Sequence, residues 1–222
     1  LGKEDYMPRI LSTNDAGKII VYTMNRHQDE LNLYAVNPRS TVAKLLIKES
    51  VPKYVKEEAM ESIVIDKDYI LMPSDRDGYM HLYLYNQNGQ LLRKIGDGQY
   101  DITAVYGYDA QTGDVYYQAA ALNSHDRQVY VTEKNGKTLR LTDQEGWNSA
   151  IFSADFKYFI NTWSDRNTPY VYTTRSNSGK VIATNLDNKE LQTKTRKYGW
   201  TPTEMFSFIT SEGVKLDGWM VK

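Results

Sequence analysis

Four times along this 222-residue chain the same order of elements returns: an apolar strand, a turn, a Tyr-rich strand ending in small polar residues, a third strand, an Asn/Gly turn and a fourth strand. The second copy is the clearest. It reads Ile63–Ile65, the turn Asp66-Lys67-Asp68, Tyr69–Met72, the polar loop Ser74-Asp75-Arg76-Asp77-Gly78, His81–Tyr85, Asn88-Gly89 and Leu91-Leu92. A repeat of roughly 40–50 residues with about four strands is the pattern of β-propeller blades. One blade cannot bury both of its faces, so the repeat predicts an all-β architecture of four-stranded sheets stacked side by side.

The other copies keep the order. The first places strands at Arg9–Ser12, Ile19–Met24, Leu31–Val36 and Val42–Ile47, with turn residues at Asn14–Gly17 and Asn37-Pro38. Its second strand is a nearly continuous apolar run, expected of a strand covered on both faces. Its third alternates, with Leu31, Leu33 and Ala35 on one face and Asn32, Tyr34 and Val36 on the other. The third copy has Ala104–Tyr108, Val115–Ala120, Gln128–Thr132 and Leu139–Thr142, and the fourth has Ser149–Ser153, Tyr158–Ser164, Tyr170–Thr174 and Lys180–Ala183. Three copies put Asn and Gly between their last two strands (Asn88-Gly89, Asn135-Gly136, Asn177-Ser178-Gly179), a strong hairpin signal. The blades are therefore expected over about 8–49, 60–98, 101–143 and 147–186.

Helical signal is thin. Val51–Ser62 has the composition for a turn or two, with Pro52 near its start, and periodicity does not decide between helix and extended linker over Asp187–Tyr198. After Pro202 the texture changes: Met205–Thr210, the turn Ser211-Glu212-Gly213 and Val214–Val221 form a hairpin that fits no blade frame. The chain thus divides into a blade region, 1–200, and the start of something else, 201–222.

Composition limits the function classes. The net charge is −1 with Lys and Arg scattered, so nucleic-acid binding lacks its basic stripe. No apolar run approaches the roughly 18 residues of a membrane span, and no signal peptide opens the chain. The absence of Cys excludes disulfides, thiolate metal sites and a Cys nucleophile. Eighteen Tyr against five Phe suit sheet faces half-open to water.

Candidate chemistry is sparse, with no nucleophile elbow, phosphate loop or zinc-protease helix motif. The three His, His27, His81 and His125, occupy equivalent places in successive repeats, where a metal could be held, though one imidazole per strand entry more simply satisfies a turn or a carboxylate. Ser74–Gly78 resembles part of a calcium loop but lacks the remaining ligands, which leaves a turn with Asx hydrogen bonds and Gly at positive φ. Glu57-Glu58 is a carboxylate pair of the kind that anchors a cation or simply meets solvent. Asn25-Arg26-His27-Gln28 follows a buried strand, placed either to line a channel or to pin the blade by hydrogen bonds. No catalytic, cofactor-binding or metal-binding residue is assigned from these patterns, and no cofactor is called for.

Several segments together resemble the N-terminal propeller of the dipeptidyl peptidase IV family: Tyr6–Ile10, Met24–Leu33, Ser74–Tyr83 and Phe152-Ser153. The last twenty residues look like that family's lead-in to an α/β-hydrolase domain, matching E-x-F-x-F-x-T-S-E-G-V-x-L-x-G-W from Glu204 to Trp219. The resemblance implies about four blades of an eight-bladed propeller, and a parent that is a serine exopeptidase releasing N-terminal dipeptides with Pro or Ala second. It implies that the propeller gates access of slender peptides, that the parent is a homodimer, and that its compartment is the periplasm or cell envelope. It also implies that the catalytic Ser, Asp and His lie past Lys222, and that the amine-binding acidic pair belongs to a D-W-x-Y-E-E context that Glu57-Glu58 lacks. The competing expectation is a non-enzymatic, protein-binding propeller of the TolB-like kind, which shares the F-S-x-D-x-K-Y-F pattern seen at Phe152–Phe159. A half-propeller would also leave the flanks of its first and last blades open, predicting an open arc or pairing with a second copy.

Overall fold

The computed structural model describes residues 9–11 and 17–222; the turn expected at Asn14–Gly17 falls largely outside them, as does most of Tyr6–Ile10. Four four-stranded antiparallel sheets follow one another, and within each the strands lie in chain order. The first holds β1 (Arg9–Leu11), β2 (Ile19–Met24), β3 (Glu30–Val36) and β4 (Ala43–Ser50), and the second β5 (Val64–Ile65), β6 (Tyr69–Ser74), β7 (His81–Asn86) and β8 (Leu91–Ile95). The third comprises β9 (Ile102–Asp109), β10 (Asp114–Ala119), β11 (Gln128–Thr132) and β12 (Thr138–Arg140), and the fourth β13 (Trp147–Phe152), β14 (Tyr158–Ser164), β15 (Val171–Ser176) and β16 (Val181–Leu186). A separate hairpin, β17 (Glu204–Ile209) with β18 (Lys215–Met220), ends the chain. This is the sheet order of part of a β-propeller.

Among the described residues, two helices join the strands. α1 (Glu57–Glu61) tucks Met60 into the core, and α2 (Lys189–Lys197) buries no residue. Charge explains α2: Glu190 lies in its first turn and Lys194, Arg196 and Lys197 in its last, each sign facing the helix-dipole end that favours it. Gly199 at φ +73° stops it.

The chain divides into two compact units, Leu1–Ala121 with Val131–Leu139, and Leu122–Tyr130 with Arg140–Lys222. In the first, one apolar cluster spans both leading blades: Ile20, Tyr22, Leu31, Leu33 and Ile47 from the first, and Ile70, Met72, Tyr83 and Tyr85 from the second. β2 is buried through its middle, from Ile20 to Thr23, so both of its faces are covered. β3 departs from the expected one-sided pattern, because Asn32 is buried beside Leu31 and Leu33. Its amide donates to Glu30 Oε1 at 2.9 Å, so a polar residue is tolerated on the second covered face.

The second unit shows a one-sided sheet. In its four-stranded blade Asn148, Ala150, Phe159, Asn161, Thr173 and Arg175 point inward, while Trp147, Ile151, Tyr158 and Ile160 of the opposite face are exposed.

The repeating turns do more than reverse the chain. Gly89, Gly136 and Gly179 all take positive φ, and in the first blade, which lacks the Gly, Thr41 occupies the left-handed position at +57°. Pairing of β3 with β4 skips a residue between Tyr34↔Leu45 and Leu33↔Ile47, leaving Leu46 as a bulge. Gly89 sits against that bulge: a Cβ there would lie 2.0 Å from the Leu46 carbonyl oxygen. Gly179 likewise faces the Leu141 carbonyl oxygen, 2.6 Å from where its Cβ would be. These glycines let a turn of one blade touch the outer edge of the blade before it. Gly136, with nothing within 4 Å of its Cβ position, answers only to its φ.

The two kinds of glycine should separate on mutation. Gly136→Ala is expected to cost about 1 kcal/mol, the left-handed penalty alone. Gly89→Ala adds a backbone clash and should cost at least about twice that. Urea titrations of the two variants giving equal losses would refute the contact as the reason for Gly89.

Candidate functional site

The loops joining the second and third strands of the blades carry most of the polar side chains singled out from the sequence. In the first blade the loop is a tight turn held by Asn25, whose side-chain oxygen accepts the amides of Asp29 and Glu30, each at 3.0 Å. Gln28 is left-handed at φ +59°, and its carbonyl accepts the Val55 amide. Asn25 thus pins the turn, while Arg26 and His27 are exposed.

In the second blade the corresponding loop closes a charged seam. Glu49 shares the inward face of β4 with Ile47 and is 3% exposed, a carboxylate set among apolar neighbours that requires a partner. Ser74, at the end of β6, donates its hydroxyl to Glu49 Oε1, and Arg76 Nη2 lies 2.6 Å from Glu49 Oε2. The Arg76 guanidinium rests 4.1 Å over the Tyr83 ring, and Tyr83 donates its hydroxyl to Asp77 at 2.6 Å. Asp77 also meets Lys94 at 2.7 Å, and Asp75 meets Lys56 at 3.6 Å. The Lys94 and Tyr83 bonds hold the Asp77 carboxyl below the usual range. Burial, and then the bond to Asp77, push the Tyr83 phenol well up. For Arg76, burial acts downward and the Glu49 carboxylate upward, and the net shift is up.

The calcium-like reading of Ser74–Gly78 therefore gives way to a turn. Gly78 sits at φ +95°, with its amide on the Asp75 carbonyl at 2.8 Å. The expected Asx bonds are replaced by Ser74, whose hydroxyl oxygen accepts from Arg76 N and Nε at 3.2 and 2.9 Å. The loop's carboxylates go instead to Lys56, Lys94 and Tyr83.

His81 opens β7 and is buried, with its Nε2 3.1 Å from the Gly98 carbonyl oxygen. That carbonyl accepts only from a protonated Nε2, which leaves Nδ1 bare in the neutral ring. Tyr100 meets the ring edge-on at 5.9 Å, and Gly96 stands where a Cβ would come within 2.6 Å of His81 Cδ2. Burial, with Lys94 second, lowers the imidazole pKa. A cavity of about 260 Å³ that His81 does not line is bounded mainly by Ala59, Pro73, Met80, Leu82 and Ile102, with Lys56 and Asp101 supplying charge.

In the second unit, His125 Nδ1 lies 3.7 Å from Asp217 Oδ2 on β18, at a polar cavity of about 320 Å³ that also takes in Asp126, Glu145, Asp165 and Arg166. The Ser207 hydroxyl is the main reason the Asp217 carboxyl titrates low. Asn148, Gln128, Asn161 and Thr142 form a buried hydrogen-bonded network nearby. Among the described residues, no three His, Asp or Glu side chains converge as a metal site. The three His have separate settings: exposed turn, buried strand entry and cavity rim. Glu57 and Glu58 begin α1, but their side chains lie outside the described residues.

Glu49 is the residue that sequence reasoning passed over. Its signal was present: Ile47-Lys48-Glu49 alternates, so a carboxylate two places from a core Ile faces inward.

Four four-stranded antiparallel meander sheets in succession define a segment of a β-propeller. The model of the dipeptidyl peptidase IV N-terminal region matches residues 2–170, and the chain belongs to that family. Among solved structures it is similar to dipeptidyl peptidase 4 of Porphyromonas gingivalis, with a TM-score of 0.91 and 34% identity over 96% of this chain and 31% of that one. A putative dipeptidyl aminopeptidase IV from Bacteroides ovatus shares the fold, with a TM-score of 0.81 and 21% identity, covering 96% of this chain and 33% of that one. In sequence it is similar to a probable dipeptidyl peptidase 4 of Emericella nidulans, 25% identical over 218 residues, 92% of this chain and 28% of the relative. The chain thus spans about a third or less of the relatives it matches.

Burial of His81 has a consequence for acid stability. The unfolded chain takes up a proton near pH 6.5, whereas the folded ring resists it to lower pH. Between those values the unfolded state binds more protons, so this contribution is complete above about pH 6.5 and is lost as pH falls. Urea midpoints measured from neutral to mildly acid pH should decline less steeply in His81→Gln. Identical slopes would rule out His81 as the titrating group.

Proposed function

We propose that this chain is the propeller region of a serine exopeptidase that removes dipeptides from peptide N-termini, with Pro or Ala favoured second. The likeness to the Porphyromonas gingivalis dipeptidyl peptidase 4, at 34% identity over 96% of this chain, carries the reading. On it, the four blades are about half of an eight-bladed propeller that admits slender peptides, and residues 201–222 open an α/β-hydrolase domain that holds the nucleophile and its base. The chain itself supplies no catalytic residue. The exposed face of its last blade, with Trp147, Ile151, Tyr158 and Ile160, is where a further blade would stack in the ring or where a second copy would pair.

The full-length protein is expected to release Gly-Pro from a chromogenic Gly-Pro amide, while residues 1–222 alone release none. A folded full-length protein without turnover would sink the peptidase reading in favour of a protein-binding propeller.

A further inference from the structure

The segment that joins the last blade to the β17–β18 hairpin is clamped by one side chain. Asn167 lies in the loop between β14 and β15, where Asp165 Oδ1 accepts its backbone amide at 2.8 Å and so fixes the loop's path. Its side-chain amide then pairs in both directions with the peptide groups of Thr203: Thr203 N–H donates to Asn167 Oδ1 at 2.8 Å, and Asn167 Nδ2 donates to the Thr203 carbonyl at 3.2 Å. An Asn side chain is a peptide group in miniature, and here it takes the place of a neighbouring strand for a residue 36 positions away.

The ground beneath Asn167 is firm. Trp163 Nε1 donates to the Glu145 carbonyl at 2.7 Å, and Gly146 stands where a Cβ would lie 2.6 Å from the Ser164 carbonyl oxygen. Asn167 and Thr203 line the same polar cavity as His125, which lies 3.7 Å from Asp217 of β18. The hairpin, by contrast, is not seated by apolar burial. All of β17 is exposed, as are Val214, Leu216 and Trp219. A two-stranded hairpin is marginal by itself, so its direction depends on polar tethers at its base.

We propose that Asn167 is a positioning residue of the peptidase: by clamping the Thr203 peptide it sets how the β17–β18 hairpin leaves the last blade, and through the hairpin how the catalytic domain faces the propeller. The inference rests on the reading that residues 201–222 open that domain. A peptide substrate held by both domains needs their spacing kept, and a displacement of about 1 Å can cost up to about 100-fold in rate. A small ester that needs only the nucleophile does not need the spacing.

The test uses the full-length enzyme and the variants Asn167→Ala and Asn167→Asp, each assayed on a Gly-Pro amide and on p-nitrophenyl acetate. Ala removes both hydrogen bonds, whereas Asp keeps the acceptor for Thr203 N–H. Dipeptide kcat is expected to fall by about tenfold in Asn167→Ala and by about threefold in Asn167→Asp, with ester turnover within about twofold of wild type. Wild-type dipeptide kcat in Asn167→Ala, or an equal loss on both substrates, would overturn the positioning role. Should the Ala variant fail to fold, the same substrate split read in Asn167→Asp decides. If the wild-type enzyme releases no dipeptide at all, the peptidase reading itself falls and this inference with it. An active wild type beside an unaffected variant rejects the inference alone.

Discussion

A carboxylate buried between two sheets must find a cation there, and in the first unit that requirement ties one blade to the next. Glu49 comes from the outer strand of the first blade, and its partners Ser74 and Arg76 come from the second. Such a pair gains little over an apolar replacement, but removing one member leaves the other charge stranded, at a cost of about 3–5 kcal/mol. The contact fixes one feature of the docking: blade two meets blade one in the register that brings Arg76 and Ser74 to Glu49. The rest of the seam follows. With Arg76 placed, Tyr83 stacks beneath it, Asp77 reaches both Tyr83 and Lys94, and the apolar cluster from Ile20 to Tyr85 closes around the outer strand.

The second unit solves the same problem with different residues. Arg175 is 3% exposed, yet its guanidinium reaches Asp143 at 3.1 Å and the carbonyls of Leu141 and Gly179. Gly179 is also the turn glycine pressed against Leu141. Here a buried Arg and a turn glycine meet at a blade edge. The turn lies close because it has no Cβ, and the Arg satisfies the polar groups that closeness would otherwise bury unpaired. Where a polar side chain instead reaches outside the blades, as Asn167 does to Thr203, the same chemistry fixes the exit of the chain.

The blades were legible because strand period and turn chemistry are local signals. Tyr158–Ser164 and Gln128–Thr132 match β14 and β11 to the residue, and the Asn/Gly turns fall where positive φ is needed. Outer strands read less well: β8 runs on to Ile95, because Arg93 and Lys94 disguise a strand whose charged side chains reach the Glu133 backbone carbonyl and the Asp77 carboxylate. α2 was undecided because no residue of it is buried, and only its charge order marks it as helical. The partners of Arg76 could not be read at all. Its turn is encoded within Ser74–Gly78, but Glu49 lies 27 residues upstream on another sheet, and only the stacking of blades brings them together. The Asn167–Thr203 clamp escaped notice for the same reason.

The central claim is that the Glu49–Arg76 seam makes the first two blades a single cooperative body. Native-state hydrogen exchange on β2, β3, β6 and β7 tests it most directly, comparing wild type with Arg76→Met. The account predicts one shared opening free energy for all four strands, lowered by the same amount in both blades of the variant. Loss of protection confined to β6 and β7, with β2 and β3 exchanging as in wild type, would contradict it.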